Sequence, residues 1–126
     1  MLEKYYKYKS IYPKHVIFIK VGNFYECLGN DALILNKLFG YKIKRIGNTI
    51  KSGFPISGIN LNLDELKDKE IYHVVIDGDN VSSSFDSGKN TYDKYVFDID
   101  TITYNMIRID KIVKYLEENI INDNIN

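Results

Sequence analysis

Residues 15–21, HVIFIKV, form an almost uninterrupted run of β-branched and aromatic side chains. Such a run predicts a β-strand, because these side chains pack well on a pleated surface. The runs at 41–46, 71–77 and 94–100 predict three more strands. Together the four runs predict a central β-sheet, which needs helices to cover its apolar surface.

Two helices are predicted in the first forty residues. Residues 2–12 can form a short helix that ends at Pro13, because proline cannot continue a helix. Residues 30–39, NDALILNKLF, show helical spacing of apolar side chains. Asn30 is the predicted N-terminal cap of this second helix, and Gly40 is its predicted end.

The rest of the chain continues the alternation of strands and helices. Residues 62–69 predict a short helix that Asn62 caps, and an apolar stripe predicts an amphipathic helix at 109–121. The segment 78–92 is rich in turn-forming residues and predicts a mobile hairpin loop between two strands. We therefore expect one mixed α/β domain over 1–126, with a mixed central sheet flanked by helices.

The segment Phe24-Tyr25-Glu26 places two aromatic residues directly before an acid. Side chains alternate between the two faces of an extended strand. Phe24 and Glu26 would then share one face, and Tyr25 would point to the other. This pattern predicts that Tyr25 belongs to the core, whereas Phe24 and Glu26 are presented together to a ligand.

Charge is distributed unevenly along a chain whose formal net charge is zero. Residues 1–51 carry ten basic and three acidic side chains, a net charge of +7. Residues 52–126 carry seven basic and fourteen acidic side chains, a net charge of −7. The asymmetry permits a basic face suited to a polyanion, but the two charge sets can also mix on the folded surface and largely cancel.

Composition argues for a cytoplasmic protein without cofactor or metal. A single cysteine, Cys27, excludes an internal disulfide framework, and His15 and His73 are isolated from any zinc-like spacing. No apolar run approaches the roughly 18 residues that a membrane span requires. The first ten residues lack the apolar centre of a signal peptide.

An enzymatic alternative rests on two pairs of acids, Asp77-x-Asp79 and Asp98-x-Asp100. If both pairs lie on strands, each would present two carboxylates on one face, and together they could hold Mg²⁺ in a nuclease-like site. The same acids can simply end two solvent-exposed strands around a turn. No lysine or histidine lies at a spacing from these acids that would indicate a catalytic base. This favours the simpler interpretation and a protein that is not an enzyme.

Four motifs in order resemble the N-terminal mismatch-recognition domain of the MutS family of DNA mismatch repair proteins. The resemblance covers roughly residues 4 to 100. The motifs are GNFYE at 22–26, the Asp31-Ala32 pair, IKR at 43–45 and FPISGI at 54–59. Asn23 stands where the family usually has aspartate, and the helix after Ile59 is shorter than the family's.

The resemblance implies a DNA-binding module for duplexes that contain a mispaired or unpaired base. By this resemblance Phe24 would insert at the mispair from the minor groove, and Glu26 would hydrogen-bond the displaced base. Val21 and Ile56 align with positions beside the inserted ring. Lys44 and Arg45 belong to the strand that resembles the family's Thr-Lys-Arg strand, and they are added as candidate DNA contacts.

The family's ATPase machinery is not expected in this chain. Gly53 to Gly58 is the segment nearest to a P-loop, but Ile59-Asn60 follows it instead of Lys-Ser or Lys-Thr. A single domain of zero net charge offers few phosphate contacts, so we expect weak DNA binding. The alternative is a protein-interaction module, or a degenerate homologue that no longer binds DNA, with the C-terminal helix contacting a partner chain.

Overall fold

A mixed β-sheet of six strands forms the centre of the computed structural model, which describes residues 1–99. The strands are β1 (Val16–Val21), β2 (Phe24–Leu28), β3 (Lys44–Ile46), β4 (Thr49–Pro55), β5 (His73–Asp77) and β6 (Asn80–Phe85). Their order across the sheet is β3-β4-β2-β1-β5-β6. β1 and β5 are parallel, and all other neighbouring strands are antiparallel. The predicted mixed α/β class is confirmed.

Helices α1 (Leu2–Ile11), α2 (Gly29–Phe39) and α3 (Ile59–Asp68) accompany the sheet, and residues 92–99 form α4. A 3-10 turn, Ile56–Gly58, leads into α3. Met1–Val96 makes up one compact unit. The predicted helix at 109–121 lies outside the described residues, as does the remainder of the predicted domain up to residue 126.

β1 lies in the middle of the sheet and is buried on both faces. Val16–Ile19 are each at most 2% exposed. Tyr5 and Tyr8 of α1 belong to the core cluster on one face, and on the other face the ring of Phe18 meets Phe54 edge to face at 5.6 Å. Burial on both faces explains why this strand is a continuous apolar run rather than an alternating pattern.

A two-residue turn at Gly22-Asn23 connects β1 to β2 as a hairpin, in which Val21 lies opposite Phe24. Gly22 has φ +60°, a conformation that glycine adopts without steric cost. The chain reverses direction at this turn. The reversal places Phe24 at one end of the sheet, beside the turn.

A buried carboxylate ties α1, β1, α2 and α4 together. Asp31 is 1% exposed and accepts hydrogen bonds from the backbone N–H of Ile17 at 3.1 Å, from the hydroxyl of Tyr92 at 2.7 Å and from the hydroxyl of Tyr5. The ammonium of Lys9 lies 2.9 Å from the same carboxylate. Burial, and then the Asp31 charge, raises the pKa of both Tyr5 and Tyr92, so both phenols remain hydrogen-bond donors.

The predicted strand at 94–100 is wrong, because residues 92–99 are helical. Tyr92, Tyr95 and Ile99 recur at helical spacing, and Asp93 lies in the first turn, where a negative charge is favourable. The aromatic and β-branched residues of this segment predicted a strand, but in the helix Tyr92 is buried and its hydroxyl donates to Asp31. Propensity is a weak guide where tertiary packing decides.

The fourth predicted strand is replaced by β6, within the segment that was predicted as a loop. Asn80–Phe85 pairs with β5, and Gly78-Asp79 forms the turn between them. Five of its six residues are exposed, and the strand is held by backbone pairing with β5 and by the ring of Phe85, which stacks on His73. The mobility predicted for 78–92 stays a prediction.

Two predicted helix caps are also wrong. α2 begins at Gly29, with Leu28 in the capping position, and no side-chain cap is formed. α3 begins at Ile59, so Asn62 lies inside the helix and donates from Nδ2 to the carbonyl of Gly58 at 2.7 Å. The predicted end of α2 at Gly40 is confirmed, since this glycine has φ +73°.

Candidate nucleic-acid interface

An exposed apolar tip is formed at the β1–β2 turn by Val21, Phe24 and Ile56. Phe24 is 48% exposed and Val21 opposite it is 37% exposed. Ile56 is half-buried, and its backbone N–H donates to the carbonyl of Asn23 at 2.9 Å. The turn therefore brings together three of the predicted site residues, and it leaves the ring of Phe24 accessible.

The alternation predicted for residues 24–26 is confirmed. Tyr25 is 8% exposed, and its ring centroid lies 6.0 Å from that of Phe54 in the core. Phe24 and Glu26 lie on the opposite face of β2. The burial of Tyr25 anchors the strand, so that the exposure of Phe24 is a consequence of the strand's pleat rather than of a loose segment.

Glu26 is more enclosed than a surface acid. Its side chain is 16% exposed, and its Oε2 atom is buried without a hydrogen-bond donor among the described residues. The ammonium of Lys51 lies 3.4 Å from that oxygen, at ion-pair distance but without directed hydrogen-bond geometry. Glu26 thus retains an unused acceptor oxygen beside a cation.

A basic cleft of about 330 Å³ opens beside Glu26. It is lined by Phe24, Glu26, Tyr41, Lys42, Lys44, Lys51, Ser52 and Gly53. Three lysines against one acid give this cleft an excess of positive charge. An aromatic ring at one end of a positively charged groove is an arrangement suited to a nucleic acid, because it combines a stacking surface with phosphate-attracting cations.

Lys44 and Arg45 do not lie together. Lys44 lies opposite Lys51 in the β3–β4 pair and lines the basic cleft. Arg45 lies opposite Ile50, and the alternation of the strand places it on the other face of the sheet. Both residues are exposed. The structure therefore groups Lys44, but not Arg45, with Phe24 and Glu26.

Sequence reasoning missed Lys51, Gly53 and Tyr41 as members of the site. The β2–β4 register brings Lys51 and Gly53 next to Glu26. In this register Gly53 lies opposite Glu26, and Lys51 lies opposite Leu28. No local signal reports this pairing, since the residues are far apart in sequence. Lys42 could have been included, because the alternation in YKIKRI already places it on the face of Lys44.

The enzymatic alternative requires both acid pairs to lie on strands, and the described residues do not meet this requirement. Asp77 ends β5 and lies 3.6 Å from the ammonium of Lys20, whereas Asp79 lies in the following turn and accepts the hydroxyl of Tyr8 at its backbone carbonyl. Asp98 is in a helix, so the premise of a second strand is wrong. Within residues 1–99 no group of three His, Cys, Asp or Glu side chains is placed to hold a metal ion.

No helix among the described residues is both long enough and apolar enough to span a membrane.

Comparison with known proteins matches residues 1–96 to the family described as MutS domain I. "DNA mismatch repair protein MutS" of Flavobacterium psychrophilum is 32% identical over 71 residues, and the match covers 52% of this chain and 8% of that protein. The protein of the same name from Thermus thermophilus is 30% identical over 70 residues, covering 52% of this chain and 9% of that protein. The chain therefore matches less than a tenth of the length of these bacterial relatives.

Proposed function

The chain belongs to the MutS domain I family, and from this membership we propose that it binds duplex DNA at a mispaired or unpaired base. We propose further that it is a binding module and not an enzyme. The observation that carries the proposal is the exposed ring of Phe24 on the same strand face as the enclosed carboxylate of Glu26.

Phe24 would insert its ring between base pairs. Stacking of an aromatic ring on a base contributes about 1–3 kcal/mol, and opening a base step costs a few kcal/mol. The cost is smallest where pairing is already faulty. Insertion would therefore be favourable at a mispair and unfavourable in a paired duplex. Val21 and Ile56, which flank the ring in the apolar tip, would contact the neighbouring sugars.

Glu26 would discriminate between bases rather than add affinity. A carboxylate brought close to phosphates is repelled, unless a donor on a displaced base meets it. Its Oε2 atom is buried and has no hydrogen-bond donor among the described residues, so a base donor could reach it only after the side chains around it move. Glu26 would thus weaken binding to a paired duplex, but not to a duplex in which a displaced base donates a hydrogen bond to it.

Lysines of the basic cleft would supply phosphate contacts. Lys42, Lys44 and Lys51 line the cleft beside Phe24. Arg45 lies on the other face of the sheet. It would contact DNA only if the DNA backbone extended past the edge strand β3. With so few cations near the apolar tip we expect weak binding that declines only gradually with salt, because the salt dependence scales with the number of phosphate contacts.

The test compares three labelled duplexes of one length: a fully paired duplex, one with a single G·T mispair and one with a single unpaired thymine. We expect tighter binding to the two defective duplexes. Phe24→Ala should remove this preference, whereas Tyr6→Ala, which truncates an aromatic residue 54% exposed on α1, should retain it. Equal binding of all three duplexes by the unmodified protein would refute the proposal.

A further inference from the structure

Three charged side chains converge on one face of the sheet. Lys51 lies directly opposite Lys44 in the β3–β4 pair, and its ammonium reaches diagonally to Glu26 at 3.4 Å. Directly opposed like charges destabilise a strand pair. Because Glu26 lies beside one of the two lysines, its charge offsets part of that repulsion.

The position of Lys51 has consequences for a carboxylate that must approach DNA. The side chain of Glu26 is 16% exposed and that of Lys51 is 31% exposed, so water screens this pair less than a pair on the open surface. The ammonium lies at ion-pair distance but is not in directed hydrogen-bond geometry with Oε2. Lys51 can therefore neutralise the carboxylate electrostatically without a directed hydrogen bond to it.

We propose that Lys51 is a specificity-determining residue, which sets how strongly binding depends on a base donor facing Glu26. The proposal rests on the proposed function of this site. When a paired duplex offers no donor, the charge of Lys51 offsets the repulsion between Glu26 and the phosphates. When a displaced base offers a donor, that base satisfies Glu26, and less depends on Lys51.

The direction of the effect follows from this difference. Lys51→Gln should weaken binding to every duplex, but it should weaken binding to the paired duplex more. The ratio of the Kd for the paired duplex to the Kd for the G·T duplex should rise about two- to fivefold, the range expected for a partly exposed ion pair. Lys51→Arg, which retains the charge, should keep the ratio of the unmodified protein.

The matched control is Lys44→Gln, which removes the same charge from the same cleft one strand further from Glu26. It should weaken binding to both duplexes by the same factor. It should also lower the slope of log Kd against log salt by about one, as expected for the loss of one phosphate contact. Lys51→Gln should change that slope less, because its ammonium is already paired with a carboxylate.

A double-mutant cycle ties the effect to Glu26. Binding to both duplexes is measured for the unmodified protein, Lys51→Gln, Glu26→Gln and the double variant, with circular dichroism to confirm that each is folded. If Lys51→Gln is not folded, Lys51→Met replaces it. The ratio should rise in Lys51→Gln, fall in Glu26→Gln and be the same in the double variant as in Glu26→Gln.

Two results would overturn the inference, and they can be told apart. In the first, the unmodified protein prefers the G·T duplex, but Lys51→Gln leaves the ratio unchanged or changes it equally in the unmodified and Glu26→Gln backgrounds. Lys51 is then only a phosphate contact, and the proposed function stands. If the unmodified protein shows no preference between duplexes, the proposed function fails and this inference fails with it.

Discussion

Gly53 lies opposite Glu26 in the β2–β4 pair, so close that a Cβ atom at position 53 would fall 3.3 Å from both Cα and Cγ of Glu26. The same atom would collide with the backbone carbonyl of Tyr25. The missing side chain at Gly53 therefore permits the close pairing that encloses Glu26. This relationship connects the packing of the sheet to the geometry of the candidate site.

Gly53→Ala should destabilise the protein and displace Glu26. Backbone, rather than a flexible side chain, blocks the added methyl group, so we expect a loss of about 1–3 kcal/mol in the free energy of unfolding. Chemical denaturation measures this loss. Ser52→Ala is the control, because the buried Ser52 hydroxyl has no hydrogen-bond partner among the described residues and its removal should cost little. Equal stability of the two variants would contradict the steric argument.

Asp31→Ala should be among the most destabilising substitutions in the described part of the chain. It removes the acceptor shared by Tyr5, Tyr92 and the backbone of Ile17, and it leaves Lys9 without its carboxylate. Breaking a buried ion pair from one side costs about 3–5 kcal/mol.

Thermal and chemical unfolding of Asp31→Ala can be compared with those of Asp93→Ala. The carboxylate of Asp93 pairs with Lys14 at the surface, where both side chains are more than half exposed, so its loss should cost about 1 kcal/mol or less. Similar losses for the two variants would show that the Asp31 cluster is not the stabilising centre that its burial indicates.

Stability should fall on acidification partly because of His73. Burial lowers the pKa of His73 below its ordinary value of 6.5, so the folded protein resists protonation that the unfolded chain accepts. The unfolded state then binds more protons below about pH 6.5, and the free energy of unfolding decreases as pH falls through this range. Unfolding measured between about pH 5 and 7.5 should show a smaller pH dependence in His73→Leu. An unchanged slope would contradict this assignment.

Cys27 should react slowly with thiol reagents in the folded protein. The thiol is buried, and burial raises its pKa, so little nucleophilic thiolate is exposed. The rate of reaction with a chromogenic disulfide should rise strongly when denaturant unfolds the chain. Equal rates in the native and denatured states would mean that the β2 region opens readily.

The buried strands β1 and β5 could be predicted because burial on both faces leaves a continuous apolar run in the sequence. β6 could not, since its exposed serines have no apolar pattern and its pairing with β5 is made by the backbone. The helix at 92–99 was missed because β-branched and aromatic residues there also fit a strand.

In the candidate site, too, local features could be predicted, whereas features that depend on the pairing of distant strands could not. Phe24 and Glu26 could be predicted to share a face, because alternation along one strand is a local property. The contact between Lys51 and Glu26 depends on the register of β2 and β4, which no local pattern reports. Arg45 was grouped with Lys44 because both belong to the IKR motif at 43–45, although adjacent strand residues point to opposite faces.

We propose that Phe24 is held exposed to serve binding rather than stability. Its ring is 48% exposed, so Phe24→Ala should lower the free energy of unfolding by about 1 kcal/mol or less, whereas a core phenylalanine would cost about 3–5 kcal/mol. Paired measurements of unfolding and of binding to paired and G·T duplexes test this claim most directly. We expect an almost unchanged stability together with loss of the preference for the mispair. A stability loss of core magnitude, or a preference that survives without the ring, would contradict it.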